Sequence, residues 1–196
     1  MPGKDQQNIV VDNLFNEEQI QWLKRFIDSK EIDVVDPHNG RYLKGLDNQI
    51  REDIMDIVVK LARETSGEDL VPGDIGYSYY NNQYGEVCLP PHIDANRTEF
   101  VIDYQLDANV EWPIVIEKKE FVLKNNQAIV FAGGDQIHWR PRQKFTDDQY
   151  TAMIFFHMIT KDHWTLTNGV DPRTTEEWQK KSKSAFGVYE RDYMDN

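Results

Sequence analysis

Pro90-Pro91-His92-Ile93-Asp94, with Gly133-Gly134-Asp135-Gln136-Ile137-His138-Trp139-Arg140 further along, decides how this chain is read. In an extended strand, residues two apart point to the same face. His92 and Asp94 therefore present an imidazole and a carboxylate side by side. A second imidazole from a later strand would complete two histidines and one carboxylate around one side of a metal ion. That set leaves about three octahedral positions open, the arrangement suited to non-haem Fe(II). The His-x-Asp tripeptide is weakly specific by itself. Its context raises it: a Pro-rich approach, a strand-rich region after it, and a later histidine behind a Gly turn.

Three histidines can supply the second imidazole: His138, His157 and His163. His138 follows a strand and a Gly-Gly turn. His157 lies in Met153-Ile154-Phe155-Phe156-His157-Met158-Ile159, apolar on both faces, where a lone histidine reads as a hydrogen-bonded core residue. His163 falls in the tail, and His38 sits in the turn Asp36-Pro37-His38-Asn39-Gly40 with no spaced partner.

At 196 residues, 39% hydrophobic and 12% aromatic, the chain reads as one folded domain with a proper core. The net charge of −12 argues against a general affinity for nucleic-acid phosphates or anionic lipid surfaces. Cys88 is the single cysteine; its apolar strand segment predicts a buried, inert thiol. No apolar run reaches the ~20 residues that span a bilayer, and the first residues are polar, so the expected location is cytoplasmic.

Along the chain, Ile9-Val10-Val11 reads as a strand, and Asn16 with Gln19 forms a capping box for a helix carrying Ile20, Leu23, Phe26 and Ile27 at helical spacing. Ile32 to Val35 reads as a strand. A second helix is expected over Asp47 to Glu64, with Ile50, Ile54, Ile57, Val58 and Leu61 as its buried stripe and Ser66-Gly67 as its stop. From Asp74 the period changes. Strands are expected at Ile75 to Tyr80, at Phe100 to Leu106 with a half-buried alternation, and at Gln127 to Ala132, Gln136 to Arg140 and Tyr150 to Ile159. Glu117-Lys118-Lys119-Glu120 reads as the turn of a hairpin. Many short strands at close spacing predict a sandwich or barrel, mainly β with flanking helices. The expected organisation is a single domain over 1–196: helical support at 14–66, a β core at 74–160 and an extension at 161–196. The extension carries Trp164, Trp178 and a helix opening near Thr174. It is expected to pack back on the domain, to cover the site or to join a homodimer interface.

The chain resembles the Fe(II)/2-oxoglutarate-dependent oxygenases, in particular the small prolyl-4-hydroxylase-like branch. The matching residues are Leu89 to Asp94, Trp112-Pro113, Asn126 to Gly133 and Ile137 to Arg140. The resemblance implies a double-stranded β-helix, or jelly roll, of the cupin-like kind. It places the distal ligand just after an apolar strand ending in Gly, which selects His138, so that His92, Asp94 and His138 would bind Fe(II). It also implies 2-oxoglutarate and O2 as cosubstrates, succinate and CO2 as by-products, and hydroxylation of a small molecule or a peptidyl residue.

The distal carboxylate of 2-oxoglutarate needs a cation, and arginine offers a bidentate fork. Many relatives carry that base on the last strand, but Thr146 to Thr151 holds no Lys or Arg here. Arg140, Arg142 and Lys144 are the nearest candidates. Arg140 is chosen because it shares the inward face of His138. Tyr84, with Tyr80 in reserve, corresponds to a tyrosine that contacts the cosubstrate in relatives, and Arg97 and Trp139 are placed on the substrate side. The missing strand-end base supports a rival, a cupin-like metalloprotein that does not use 2-oxoglutarate.

Overall fold

The computed structural model describes residues 7–46, 49–94, 98–171, 174–176 and 179. The order of elements is β1 (Ile9–Val11), α1 (Glu17–Asp28), β2 (Val34–Asp36), β3 (Arg41–Gly45), α2 (Glu52–Ser66), β4 (Leu70–Tyr80), β5 (Val87–His92) and β6 (Phe100–Ala108). Then come β7 (Ile114–Ile116), β8 (Lys119–Phe121), β9 (Gln127–Phe131), β10 (His138–Gln143), β11 (Thr151–Thr160) and α3 (Trp164–Thr167).

The strands form two antiparallel sheets. One runs β1-β9-β6-β11-β4-β3-β2 and the other β5-β10-β7-β8. Leu23 and Ile27 of α1, and Ile54 and Val58 of α2, pack with Ile75, Ile102, Tyr104, Ile154 and Phe156 on one face of the larger sheet. The opposite face meets the smaller sheet through Tyr80, Val101, Phe131 and Met153 against Val87, Ile114 and Ile116. The result is three layers, helices on sheet on sheet, the double-stranded β-helix expected above.

The third layer explains one correction. β6 was expected to be half-buried, yet Phe100 to Leu106 are all buried. Helices cover one of its faces and the smaller sheet the other, so its polar alternates, Asp103 and Gln105, lie inside the protein.

Other corrections concern boundaries. The second helix starts at Glu52, not Asp47, because Arg51 is its N-cap with extended backbone. Glu52 and Asp53 then fill the first turn, where acidic side chains suit the positive end of the helix dipole. Gln136 belongs to a turn, not to the strand: its backbone N–H donates to the Ala132 carbonyl at 2.8 Å and its Oε1 accepts from Ala132 N at 2.9 Å. The β7–β8 turn is the pair Glu117-Lys118, with φ of 46° and 69°, the left-handed pair that a two-residue hairpin of the I′ kind needs. The edge strand falls at Val34–Asp36, shifted from Ile32–Val35.

Several local readings hold as written. Asn16 accepts from Gln19 N at 2.9 Å while Gln19 Oε1 accepts from Asn16 N at 3.0 Å, and Gly67 ends α2 at φ 74°. Cys88 is buried. Among the described residues, no helix is long and apolar enough to cross a membrane. In the extension, α3 contains Trp164, whereas Trp178 lies outside the described residues.

Asn16→Ala removes the acceptor half of the capping box and should lower unfolding free energy by about 1 kcal/mol. Urea denaturation would show it as a lower midpoint with an unchanged slope, and Asn16→Ser should recover most of the loss.

Candidate metal centre

His92 ends β5 and His138 begins β10, and the two are Cα partners in an antiparallel pair. That register brings the imidazoles together, with ring centroids 4.2 Å apart. Asp94 lies two residues past His92, where the chain leaves β5. Its backbone N–H donates to the Gly133 carbonyl at 2.8 Å, which ties the strand end to the turn after β9. Asp94 Oδ1 is 3.8 Å from His92 Nε2 and 3.6 Å from His138 Nε2. The ligand-capable atoms of all three lie within 4.8 Å of one another.

The other ring nitrogens are spoken for. His92 Nδ1 is 2.8 Å from the Pro90 carbonyl, and His138 Nδ1 is 3.0 Å from the Gln136 carbonyl. A carbonyl oxygen only accepts, so each Nδ1 carries a proton and each Nε2 is the ring atom turned toward Asp94. Backbone acceptors of this sort orient metal-ligating histidines. The donor set, two imidazole Nε2 atoms and a carboxylate, thus fits a divalent transition metal with open positions.

Electrostatics within the trio are coupled. Burial pushes the Asp94 carboxyl up, but the His138 imidazole beside it outweighs this and holds it well below the usual carboxylate range. Burial alone would push His138 down, yet the Asp94 carboxylate raises it above the ordinary imidazole value. His92 is pushed down to about 4 by burial and by the neighbouring His138. Asp94 and His138 thus favour each other's charged form, and a metal competes with a proton for His138 Nε2.

Gly133 is where the site admits no side chain. A Cβ there would lie 2.0 Å from Asp94 Oδ2 and 2.9 Å from Val101 Cγ1. The ring of Phe131 stands edge-on to His138 at 4.8 Å and walls the opposite side.

The trio opens into a cavity of about 630 Å³ lined by residues of both sheets. Arg41, Ser78, Asp103 and His157 also line it. Of these four, only His157 stood out in the sequence, as a candidate for the second imidazole. Arg41 carries no motif, and its Nε and Nη1 are held by Asp36 at 3.1 Å and the Tyr80 hydroxyl at 2.9 Å. For Asp103 a signal did exist: it is a carboxylate inside an otherwise apolar strand. His157 faces the cavity opposite Val101, so it is not enclosed by apolar core as its strand sequence implied.

Arg140 turns inward as its spacing from His138 requires, but its guanidinium is engaged. Nη2 donates to Asp103 Oδ2 at 3.1 Å and Nη1 to the Trp112 carbonyl at 2.8 Å, with the group stacked 5.1 Å from the Trp112 ring. Arg142 pairs with Glu86 on the surface, and Lys144 is exposed. The Tyr80 hydroxyl accepts from Arg41, and its ring meets Trp112 at 4.8 Å. Tyr84 is not brought to the cavity; it packs edge-on against Tyr42 at 5.2 Å and Tyr79 at 6.5 Å. Trp139 is buried with Cys88 and Ile137 in a separate apolar cluster, because consecutive strand residues face opposite ways and His138 takes the inward side. His163 caps α3, with Nδ1 2.7 Å from Thr165 Oγ1. Arg97 lies outside the described residues.

Two outcomes follow from this geometry. Gly133→Ala should displace Asp94 and weaken Ni(II) or Co(II) binding by roughly 10–100-fold, the range for residues that orient ligands, as read by titration calorimetry. Because the proton on His138 competes for Nε2, metal affinity should fall as pH drops through the raised His138 value. Titrations at successively lower pH, starting above the ordinary imidazole value, would show the decline.

No family model and no curated protein matches the chain in sequence. Solved structures do match in shape. SnoN, a non-haem α-ketoglutarate-dependent epimerase from nogalamycin biosynthesis, aligns with a TM-score of 0.61 at 12% identity over 78% of this chain and 77% of its own. HygX from Streptomyces hygroscopicus, solved with nickel and 2-oxoglutarate, aligns with a TM-score of 0.60 at 9% identity over 79% and 83%. A Pseudomonas putida prolyl-4-hydroxylase gives a TM-score of 0.58 at 11% identity over 80% and 94%. The chain therefore has the double-stranded β-helix fold of the Fe(II)/2-oxoglutarate oxygenases.

Proposed function

We propose that this protein is an Fe(II)- and 2-oxoglutarate-dependent dioxygenase that hydroxylates a small molecule or a peptidyl residue. The observation that carries the reading is the convergence of His92 Nε2, His138 Nε2 and the Asp94 carboxylate at the wall of a cavity in this fold. With Fe(II) and 2-oxoglutarate bound, the site would activate O2 and release succinate and CO2.

The chain's own residues have separable tasks in this reading. His92, Asp94 and His138 hold the metal, and the Pro90 and Gln136 carbonyls fix the imidazole orientation. Asp94 supplies the one negative charge among the ligands. Arg140 is the proposed partner of the cosubstrate's distal carboxylate. The cavity suits a polar occupant, because Ser78 Oγ and Asp103 Oδ1, both on lining residues, are buried with no hydrogen-bond partner. Buried polar atoms in native proteins are normally satisfied by protein, water or ligand. A cavity of about 630 Å³ is within the ordinary size of small-molecule sites, and His157 and Arg41 offer polar contacts on its wall.

One observation favours the rival reading, a cupin-like metalloprotein such as an isomerase or sensor that uses no 2-oxo acid. Arg140, the interior cation, already has a carboxylate partner in Asp103.

Anaerobic addition of Fe(II) and then 2-oxoglutarate to the metal-free protein decides between them. A weak visible charge-transfer band that appears only with both is expected; iron binding without a band would establish the rival. Asp94→Ala should abolish both metal retention and the band. His138→Ala should do the same, and a band that survives in it would move the ligand to His157.

A further inference from the structure

Asp103 is a buried carboxylate to which the metal chemistry gives no task. It projects from β6 into the space behind the trio, lines the same cavity as His92, Asp94 and His138, and is 1% exposed. Arg140, equally buried, reaches it from β10 on the opposite sheet. Their contact is half made. Arg140 Nη2 donates to Asp103 Oδ2 at 3.1 Å, whereas Asp103 Oδ1 and Arg140 Nε have no hydrogen-bond partner. Arg–carboxylate pairs are frequently bidentate, but here the other arm of the fork, Nη1, goes to the Trp112 carbonyl. The unpartnered carboxylate oxygen is itself buried, on a residue that lines the cavity.

The consequence concerns charge. The interior guanidinium is neutralised before any ligand arrives, and a carboxylate entering toward Arg140 must meet or displace the one already there. A neutral or short-tailed ligand meets no such opposition. We propose that Asp103 sets the selectivity of the 2-oxo acid site: by holding Arg140 it removes most of the advantage that a dicarboxylic 2-oxo acid would have over a monocarboxylic one. This rests on the oxygenase reading above. Asp103 is thus a specificity-determining residue that acts through Arg140, not a catalytic one.

The test is anaerobic titration of the Fe(II)-loaded protein with 2-oxoglutarate and with 2-oxobutyrate, which lacks the distal carboxylate. Both are followed by the charge-transfer band, with thermal unfolding measured in parallel. In the unmodified protein the two acids should bind within about tenfold of each other. Asp103→Asn frees the guanidinium and should tighten 2-oxoglutarate about tenfold or more, with 2-oxobutyrate unchanged. In Asp103→Asn/Arg140→Gln the gain should vanish, which a purely structural role for Asp103 would not produce. Unchanged or weaker 2-oxoglutarate binding in a folded Asp103→Asn would overturn the proposal, as would a gain that persists without Arg140. Asp103→Ser, which removes the same charge, carries the same expectation should the asparagine variant not fold. Absence of a band with either acid in every iron-loaded variant would instead remove the oxygenase reading itself.

Discussion

The antiparallel pairing of β5 with β10 is the constraint on which the rest of the site depends. It makes His92 and His138 direct partners at the strand ends, while His138 is held on its other side by pairing with Ile116 of β7. Asp94 could not join them from sequence spacing alone, because the strand has ended by that residue. The Asp94 N–H to Gly133 carbonyl bond holds it in place, and the turn that supplies the carbonyl must be glycine where the carboxylate passes. One strand register and one turn thus set three side chains.

Why that pairing is stable follows from the layers. The larger sheet is covered on one side by α1 and α2 and on the other by the smaller sheet. Apolar burial on both faces fixes its register, since a slip by one residue would exchange the two sets of side chains. The smaller sheet is only four strands, and its positions are set by contact with the larger one through Ile114, Ile116 and Val87. The metal-ligand candidates therefore stand on the less extensive sheet but are registered by the more extensive one.

Between the sheets the protein tolerates polar groups that a purely structural core would exclude. Burial raises the Asp103 carboxyl, and the Arg140 guanidinium offsets this only in part. Ser78 and Thr151 carry hydroxyls with no protein partner. Each such atom costs stability unless something polar meets it, and Ser78 and Asp103 line the cavity that also holds the metal-ligand candidates. Local violations of good packing tend to mark function rather than accident, and this cluster, with the half-made ion pair beside it, is where the fold departs furthest from an apolar interior.

Reading the chain alone determined what short-range chemistry determines. The capping box at Asn16 and the glycine stop at Gly67 depend only on neighbours within a turn of helix. The jelly-roll class came from a resemblance carried by a few strand and turn residues. Tertiary structure decided everything that depends on two distant segments meeting. It set His138 beside His92 and His157 on the cavity wall outside the ligand set; it moved Tyr84 into an aromatic cluster with Tyr42 and Tyr79, and it gave Arg140 a carboxylate partner. The physical reason is common to all of these. A side chain's direction follows from its own strand, but its partner is set by strand order and register, which come from burying both faces of the larger sheet.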